Sequence, residues 1–362
     1  MNPLDKTQST EVLIIGAGAS GLHAAGLLQA RGVSVSVLEA RDRIGGRLLS
    51  PAVNGGRADL GATWFWANES RMNRLVADHG LPAFDQHLAG DMMYQPGGTS
   101  AQRVDGNPVG SPAGRLASGM QGVTDALASQ LAQETVELST VVSSVSVDDG
   151  VVRAESNRGS WEAKHVIVAV PPALAINSID FFGRLGSDLC RVAEETPVWM
   201  GAVIKAVAIF DRPFWRDEGL AGTAFSAIGP MREIHDMSGP DGSPAALFGF
   251  VMPQRGEPTP SAEEIIGQLT ELFGPEAANP QEVFVMDWRH EAFTSPPNVD
   301  QLTNYQTYGH PEFQTSALDG RLHWASTETS LVTPGHIEGA LSAAERAVTA
   351  IVASLRPSGG SP

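Results

Sequence analysis

The 362-residue sequence contains a single cysteine, Cys190, so no disulfide can form within the chain. This suits a reducing compartment, and we expect the protein to be cytoplasmic. No apolar stretch approaches the roughly 20 residues that a membrane-spanning helix needs, so we expect no membrane partner. The polar segment from Met1 to Thr10 leads directly into the first expected strand, and we expect no signal peptide there.

Clusters of basic residues and metal-binding motifs are also absent. The net charge is −17, which argues against a nucleic-acid partner because phosphate binding needs grouped Lys and Arg side chains. An acidic surface favours the approach of a cation such as an amine, although it serves solubility equally well. The nine histidines show no HxxxH or HExxH spacing, so we predict no metal site.

The most informative pattern of the chain begins with a short apolar run, Glu11 to Ile15. Such a run is typical of a central parallel strand that is buried on both faces. It leads into a glycine motif followed by a helical pattern that ends at Gly32. The motif consists of Gly16, Ala17, Gly18, Ala19, Ser20 and Gly21.

Each glycine of the motif has a physical role in binding a dinucleotide. Gly16 permits a tight turn, Gly18 lets the backbone approach a pyrophosphate, and Gly21 lets the helix pack closely on the strand. The pyrophosphate then lies at the helix N-terminus, where free N–H groups favour negative charge. After a second expected strand, from Val33 to Leu38, Glu39 is placed to accept hydrogen bonds from ribose hydroxyls. The pattern indicates an adenine dinucleotide cofactor.

A second glycine pair lies a few residues beyond Glu39. Gly45, Gly46 and Arg47 resemble the extended fingerprint of two-dinucleotide-binding-domain flavoproteins, in which the arginine contacts the FAD pyrophosphate. We therefore predict that the cofactor is FAD.

The remaining pattern predicts an α/β fold with a Rossmann-like FAD-binding domain and an inserted α+β substrate domain. We expect a helix from Gly119 to about Gln133, meander strands at Val136 to Val147 and Val151 to Glu155, and a strand from Trp161 to Val170. The predicted FAD-binding domain comprises residues 1–70, 115–177 and 300–362, and the substrate domain comprises 71–114 and 178–299.

Several segments together resemble the flavin monoamine oxidase family, which includes monoamine and polyamine oxidases. The resemblance covers most of the chain and is most specific at Gly201 to Trp215, at Thr327 to Ser330 and in the helix that follows Ile337. It implies a FAD-dependent oxidase that moves hydride from the amine-bearing carbon to flavin N5. The products would be an imine and, after reoxidation by oxygen, hydrogen peroxide.

The resemblance assigns Lys205 as the catalytic residue that holds a water against flavin N5. Independently, Lys205 interrupts an apolar strand from Ala202 to Phe210, and a buried lysine is costly unless it is paired or functional. An exposed position on an edge strand is the alternative. Trp288 matches a tryptophan beside the flavin, or it simply packs in the core.

The resemblance also places Glu328 near the ribityl chain, the backbone of Val142 against adenine, and the N–H of Ile337 opposite flavin O2. The predicted cofactor-binding residues are Gly16, Gly18, Ala19, Ser20, Gly21, Glu39, Ala40, Arg41, Gly45, Gly46, Arg47, Gly61, Ala62, Thr63, Trp64, Val142, Trp288, Ser326, Glu328 and Ile337. The predicted substrate-binding residues are Trp66, Asn298 and His336.

Two departures from the family pattern affect the substrate site. The family commonly flanks the substrate amine with two aromatic side chains, whose positions fall here on Asn298 and His336, with Tyr305 close to the first. His336 is either a polar substrate contact or a residue that closes the turn before the last helix. A cysteine that binds FAD covalently in the animal enzymes is replaced by Pro297, so we predict non-covalent FAD.

The second departure is a long helical insertion that family members have between the positions of Ala83 and Arg115. Only a short link remains here. We expect either an open cleft or a cleft closed by a second subunit in a homodimer.

Three other functions remain open. A renalase-like enzyme would oxidise dihydronicotinamides, although Lys205 and the segment Thr327 to Thr329 fit amine oxidases better. A flavoprotein desaturase or isomerase would act on a hydrophobic biosynthetic intermediate. A FAD-binding partner protein without turnover would explain the lost aromatic pair.

Overall fold

The computed structural model describes residues 7–109, 113–253 and 256–355. Residues 1–6 and 356–362, at the ends of the predicted FAD-binding domain, lie outside the described residues. The fold is α/β, as predicted, with a parallel sheet, a meander sheet and a large mixed sheet.

A five-stranded parallel sheet forms the centre of the nucleotide-binding half. Its strands, in spatial order, are β10 (Val136–Glu137), β3 (Val35–Leu38), β2 (Val12–Ile15), β14 (His165–Val168) and β20 (Leu322–Trp324). Strand β2 lies in the middle and is fully buried, which explains its continuous apolar run. Since the strands are parallel, Gly16, Glu39 and Ala169 follow their strands at one common edge.

Helices cover one face of this sheet, and the meander sheet and further helices cover the other. The first group comprises α1 (Ala19–Gln29), α2 (Ser70–Asp78), α3 (Gln121–Ser129) and α8 (Ile337–Leu355). The second group includes α4 (Pro172–Ser178) and α5 (Ser187–Glu195). A Cβ atom on Gly21 would lie 1.9 Å from the carbonyl oxygen of Gly16, so the close contact of α1 with β2 requires glycine.

The four-stranded meander sheet corrects two strand predictions. Its strands, in spatial order, are β1 (Thr7–Ser9), β13 (Gly159–Ala163), β12 (Val151–Ser156) and β11 (Val142–Asp148). The prediction of one strand from Val136 to Val147 was wrong, because Val136–Glu137 pairs in the parallel sheet and the chain turns at Ser139, where φ is 55°. The predicted strand from Trp161 to Val170 likewise divides at Lys164 between the two sheets.

A seven-stranded sheet forms the other half of the molecule. Its strands, in spatial order, are β19 (Glu282–Asp287), β15 (Ile204–Phe210), β18 (Ala245–Val251), β17 (Met231–Asp236), β16 (Leu220–Ser226), β7 (Asp91–Gln95) and β8 (Gln102–Val104). Strands from both predicted substrate-domain stretches pair in this sheet, and the division into two domains stays a prediction. The remaining elements are β4 (Ala52–Val53), β5 (Gly56–Arg57), β6 (Ala83–Asp85), β9 (Gly114–Leu116), α6 (Phe214–Asp217) and α7 (Ala262–Phe273).

Strand β15 is an interior strand, paired with β18 on one side and β19 on the other. Alternate residues of a strand share a face, so Lys205 lies on the same face as Val207 and Ile209. That face packs against the segment from Ala58 to Trp64. The position of Lys205 is therefore buried, not exposed on an edge strand.

No helix within the described ranges has the length and apolar character needed to cross a bilayer.

Candidate active site

A cavity of about 470 Å³ lies at the carboxyl edge of the parallel sheet, between that edge and the seven-stranded sheet. Every predicted cofactor-binding residue lines it except Gly21 and Glu328, and so do Trp66 and His336 of the predicted substrate set. Asn298 is not in the wall; Ala292, Phe293 and Thr294 from the same loop line the cavity instead. One continuous cavity thus extends from the predicted cofactor-binding residues to the predicted substrate-binding residues Trp66 and His336.

Glu39 and Val142 line the end of the cavity where adenosine is expected. Glu39 is only 4% exposed, and its carboxylate accepts hydrogen bonds from the backbone N–H groups of Ala17 (2.7 Å) and Arg41 (2.9 Å). These bonds hold the carboxylate in place beside the end of strand β3.

The glycine-rich turn before α1 fits a pyrophosphate. Gly18 has φ of −81°, and a Cβ atom there would meet only the carbonyl oxygen of Gly45, at 4.0 Å. The protein itself therefore does not require glycine at this position, whereas a ligand at the helix N-terminus does. The buried hydroxyl of Ser326, which also lines the cavity, has no hydrogen-bond partner among the described residues. Both features fit the dinucleotide cofactor that the sequence indicates.

Arg47, which lines the cavity, forms an ion pair with Glu328 through two hydrogen bonds. The guanidinium contacts the Glu328 carboxylate at 2.6 and 3.3 Å and also donates to the carbonyl oxygen of Trp199 at 3.0 Å. Glu328 is completely buried. Burial lowers the pKa of Arg47, but the Glu328 carboxylate outweighs this and raises it overall. Arg47 therefore remains a fixed positive charge at the cavity wall.

Lys205 lies just behind the wall and is completely buried. Its ammonium donates hydrogen bonds to the carbonyl oxygen of Gly61, at 2.9 Å, and to the hydroxyl of Thr63. It also lies 4.3 Å from the ring centre of Phe248. Burial lowers the pKa of Lys205 to about 7, against an opposing effect of Asp59. The amine of Lys205 therefore changes its protonation state near neutral pH, and it is hydrogen-bonded to two residues that line the cavity.

Trp288 both packs in the core and lines the cavity, the two alternatives that the sequence left open. Its ring is 2% exposed, so it packs in the core, and its indole N–H donates to the carbonyl oxygen of Leu60 at 3.0 Å. It nevertheless lines the cavity. The same segment, residues 60–63, therefore holds both Trp288 and Lys205.

The other end of the cavity is aromatic. Trp66 and Trp199 both lie near His336, with ring centres 5.0 and 6.1 Å from that of the imidazole. Tyr305 contacts Trp199 edge-on at 6.5 Å. The imidazole Nδ1 lies 2.6 Å from the carboxylate of Glu69.

Sequence reasoning missed Trp199, Phe250 and Glu69. Trp199 and Phe250 line the cavity, and Glu69 contacts His336 from behind. Trp199 lies two residues before the specific segment that begins at Gly201, and this proximity was the available signal. Glu69 has no sequence signal of this kind, because its partner is distant in the chain.

Two family models match the sequence. The model of flavin-containing amine oxidoreductases matches residues 109–352, and a model of NAD(P)-binding Rossmann-like domains matches residues 14–79. The chain belongs to the flavin-containing amine oxidoreductase family. Its cofactor is FAD, and its general activity is the oxidation of amines.

Curated relatives of the family align along almost the whole chain. A probable flavin-containing monoamine oxidase A of Dictyostelium discoideum is 25% identical, covering 91% of this chain and 95% of the relative. Putrescine oxidase of Kocuria rosea is also 25% identical, over 91% and 92%. These alignments span 436 and 451 positions, more than the 362 residues of this chain, so both relatives contain residues that this amine oxidoreductase lacks.

Solved structures show the same fold. Cyclohexylamine oxidase from Brevibacterium oxydans superimposes with a TM-score of 0.83 at 21% identity, covering 96% of this chain and 99% of the other. Putrescine oxidase bound to putrescine gives a TM-score of 0.82 at 22% identity, over 96% and 100%. The amine oxidoreductase therefore shares the fold of these two oxidases.

Proposed function

We propose that this protein oxidises a primary or secondary amine, with hydride leaving the amine-bearing carbon and an imine as product, and that oxygen accepts the electrons to give hydrogen peroxide. The observation that carries the proposal is the single cavity that joins the FAD-binding loops to the end walled by Trp288 and His336. The family match supports amines as the class of substrate.

FAD, which we propose binds non-covalently, would supply the hydride acceptor and the reaction with oxygen. The chain supplies the binding groups: Gly18 admits the pyrophosphate, Glu39 accepts from ribose, and Arg47 provides a fixed positive charge. Lys205 is proposed to bind the water beside flavin N5 and to assist reoxidation. Two observations support this role: burial lowers the pKa of Lys205 to about 7, so that its amine can exchange a proton near neutral pH, and its bonds to Gly61 and Thr63 hold it next to the cavity wall.

The walls of the cavity favour an amine that carries an apolar group. Trp64, Trp66, Trp199 and Phe250 all line the cavity, and aromatic faces bind both hydrocarbon and cationic groups. The names of similar proteins supply two contrasting probes: putrescine, a diamine, and cyclohexylamine, an apolar monoamine. Of these two, the aromatic walls favour cyclohexylamine.

Anaerobic stopped-flow reduction of the FAD-loaded protein tests the proposal. We expect cyclohexylamine, benzylamine or putrescine to bleach the flavin absorbance band, and air to restore it with formation of peroxide. Reduced nicotinamides are added to a parallel sample. Reduction by reduced nicotinamides alone would replace the proposal with the renalase-like activity.

The cytoplasmic location and the homodimer stay predictions. Trp199, Tyr305 and Leu331 are 36%, 54% and 72% exposed. Sedimentation of the loaded protein would establish whether a second subunit covers them.

A further inference from the structure

Glu69, which is buried, and His336, which is partly exposed, form a carboxylate–imidazole pair at the aromatic end of the cavity. The Glu69 side chain is 3% exposed, and its second oxygen accepts from the backbone N–H of Trp66 at 3.0 Å. His336 directly precedes α8, and its carbonyl oxygen accepts hydrogen bonds from Thr327 (2.7 Å) and Ala340 (3.2 Å). Hydrogen bonds with separate segments of the chain therefore hold both Glu69 and His336 in place.

The imidazole is accessible on its other side. Its side chain is 29% exposed, lines the cavity, and has no partner for Nε2 among the described residues. The carboxylate at Nδ1 favours the tautomer with the proton on Nδ1, which leaves the Nε2 lone pair free to accept. The indole rings of Trp66 and Trp199 lie close to the imidazole, with ring centres 5.0 and 6.1 Å from its own, and aromatic faces suit a cation.

The other charged groups around His336 are already paired. Glu338 of α8 is bonded to Arg71 at 3.0 Å, and Glu328 is bonded to Arg47 at 2.6 Å. Of the carboxylates near this end, Glu69 is the one bonded to the imidazole.

An amine reaches the site mainly as its ammonium, but only the neutral amine can release hydride from its carbon. The ammonium must therefore lose one proton before oxidation, either to solvent or to a group in the site. We propose that His336, positioned by Glu69, is this proton acceptor: Nε2 accepts a hydrogen bond from the substrate ammonium and then takes its proton. The step yields a neutral amine and an imidazolium bonded to the Glu69 carboxylate, with no change in electron count. The inference rests on the proposed amine oxidation.

The test compares wild type with His336→Gln in anaerobic reduction by benzylamine across a range of pH. At about pH 7 we expect the variant to be about 100-fold slower, the usual size of a general-base contribution. At about pH 10, where benzylamine is mostly the neutral base, the two rates should converge. A structural role alone would leave the ratio of rates unchanged with pH, and that result would overturn the inference.

A second pair of variants guards against loss of folding. Glu69→Gln keeps a hydrogen-bond acceptor for Nδ1 but removes the charge that stabilises the imidazolium, and we expect about a tenfold loss at about pH 7. Free imidazole should restore part of the rate of His336→Ala. If imidazole restores none of this rate and Glu69→Gln reacts at the wild-type rate, the role of His336 as proton acceptor is refuted. His79→Gln, outside the cavity, is the matched control and should behave as wild type.

The two proposals fail in different ways. If no amine reduces the wild-type flavin, amine oxidation itself is refuted and the inference falls with it. If amines reduce wild type and His336→Gln equally well at about pH 7, only the role of His336 is refuted.

Discussion

The ammonium of Lys205 donates a hydrogen bond to the carbonyl oxygen of Gly61 at 2.9 Å. This bond joins an interior strand of the seven-stranded sheet to a segment that lines the FAD cavity. Gly61 cannot be replaced by a larger residue, because a Cβ atom there would lie 1.8 Å from the carbonyl oxygen of Arg47. The lysine is therefore held at a defined position relative to the cofactor site.

Replacement of Lys205 by Met should leave FAD bound and slow the reoxidation of the reduced flavin, since it removes the group that we propose binds water there. Stopped-flow mixing of the reduced variant with oxygenated buffer measures this rate. Lys164→Met is the control, because Lys164 is half-exposed and paired with Glu11 on the surface. An unchanged oxygen rate in Lys205→Met would remove the role assigned to Lys205.

The same substitution should change the pH dependence of stability. Lys205 has a pKa of about 7 in the folded protein and 10.5 ordinarily, so between these values the unfolded chain binds more protons. Wild type therefore loses stability relative to Lys205→Met as pH falls from about 10 to 7, by up to about 1.4 kcal/mol per unit of pH. Urea unfolding of both proteins across this range measures the difference. If the stabilities of the two proteins change in parallel with pH, Lys205 is charged throughout this pH range.

Glu328→Gln should destabilise the protein by roughly 3 kcal/mol, because it leaves the guanidinium of Arg47 without its buried charge partner. FAD affinity should fall as well, since Arg47 lines the cavity. Thermal unfolding and FAD titration give both quantities. Glu345→Gln removes a partly exposed partner of Arg71 and should cost less than about 1 kcal/mol. Equal losses in the two variants would contradict the importance of the buried pair.

Gly18→Ala separates cofactor binding from folding. A Cβ atom at Gly18 has no protein atom closer than 4.0 Å, so the apoprotein should be as stable as wild type while FAD affinity falls at least about tenfold. Gly61→Ala is the contrast, because its Cβ clashes with the backbone and should destabilise the apoprotein itself. Tight FAD binding by Gly18→Ala would show that the pyrophosphate does not approach this turn.

Much of the nucleotide-binding half was predictable from local pattern. The glycine motif, Glu39 and helix α1 are close in the chain, so their spacing reports their geometry. The boundaries at Ser139 and Lys164 were not predictable, because continuous strand-like residues there divide between two sheets. The position of Asn298 outside the cavity wall was also missed, since an ungapped count cannot follow a loop of variable length.

The sequence alone determined the cofactor and the family, because each depends on residues that are neighbours in the chain. It favoured burial of Lys205 but left an edge strand open, and the pairing of β15 on both sides decided between them. Only the tertiary structure brought His336 to Glu69 and placed Trp199 beside them. These residues come from three segments that meet above the sheet edge, and no local pattern relates them. The chemistry of the substrate end is therefore decided by packing between distant segments, whereas the cofactor end follows from short-range geometry.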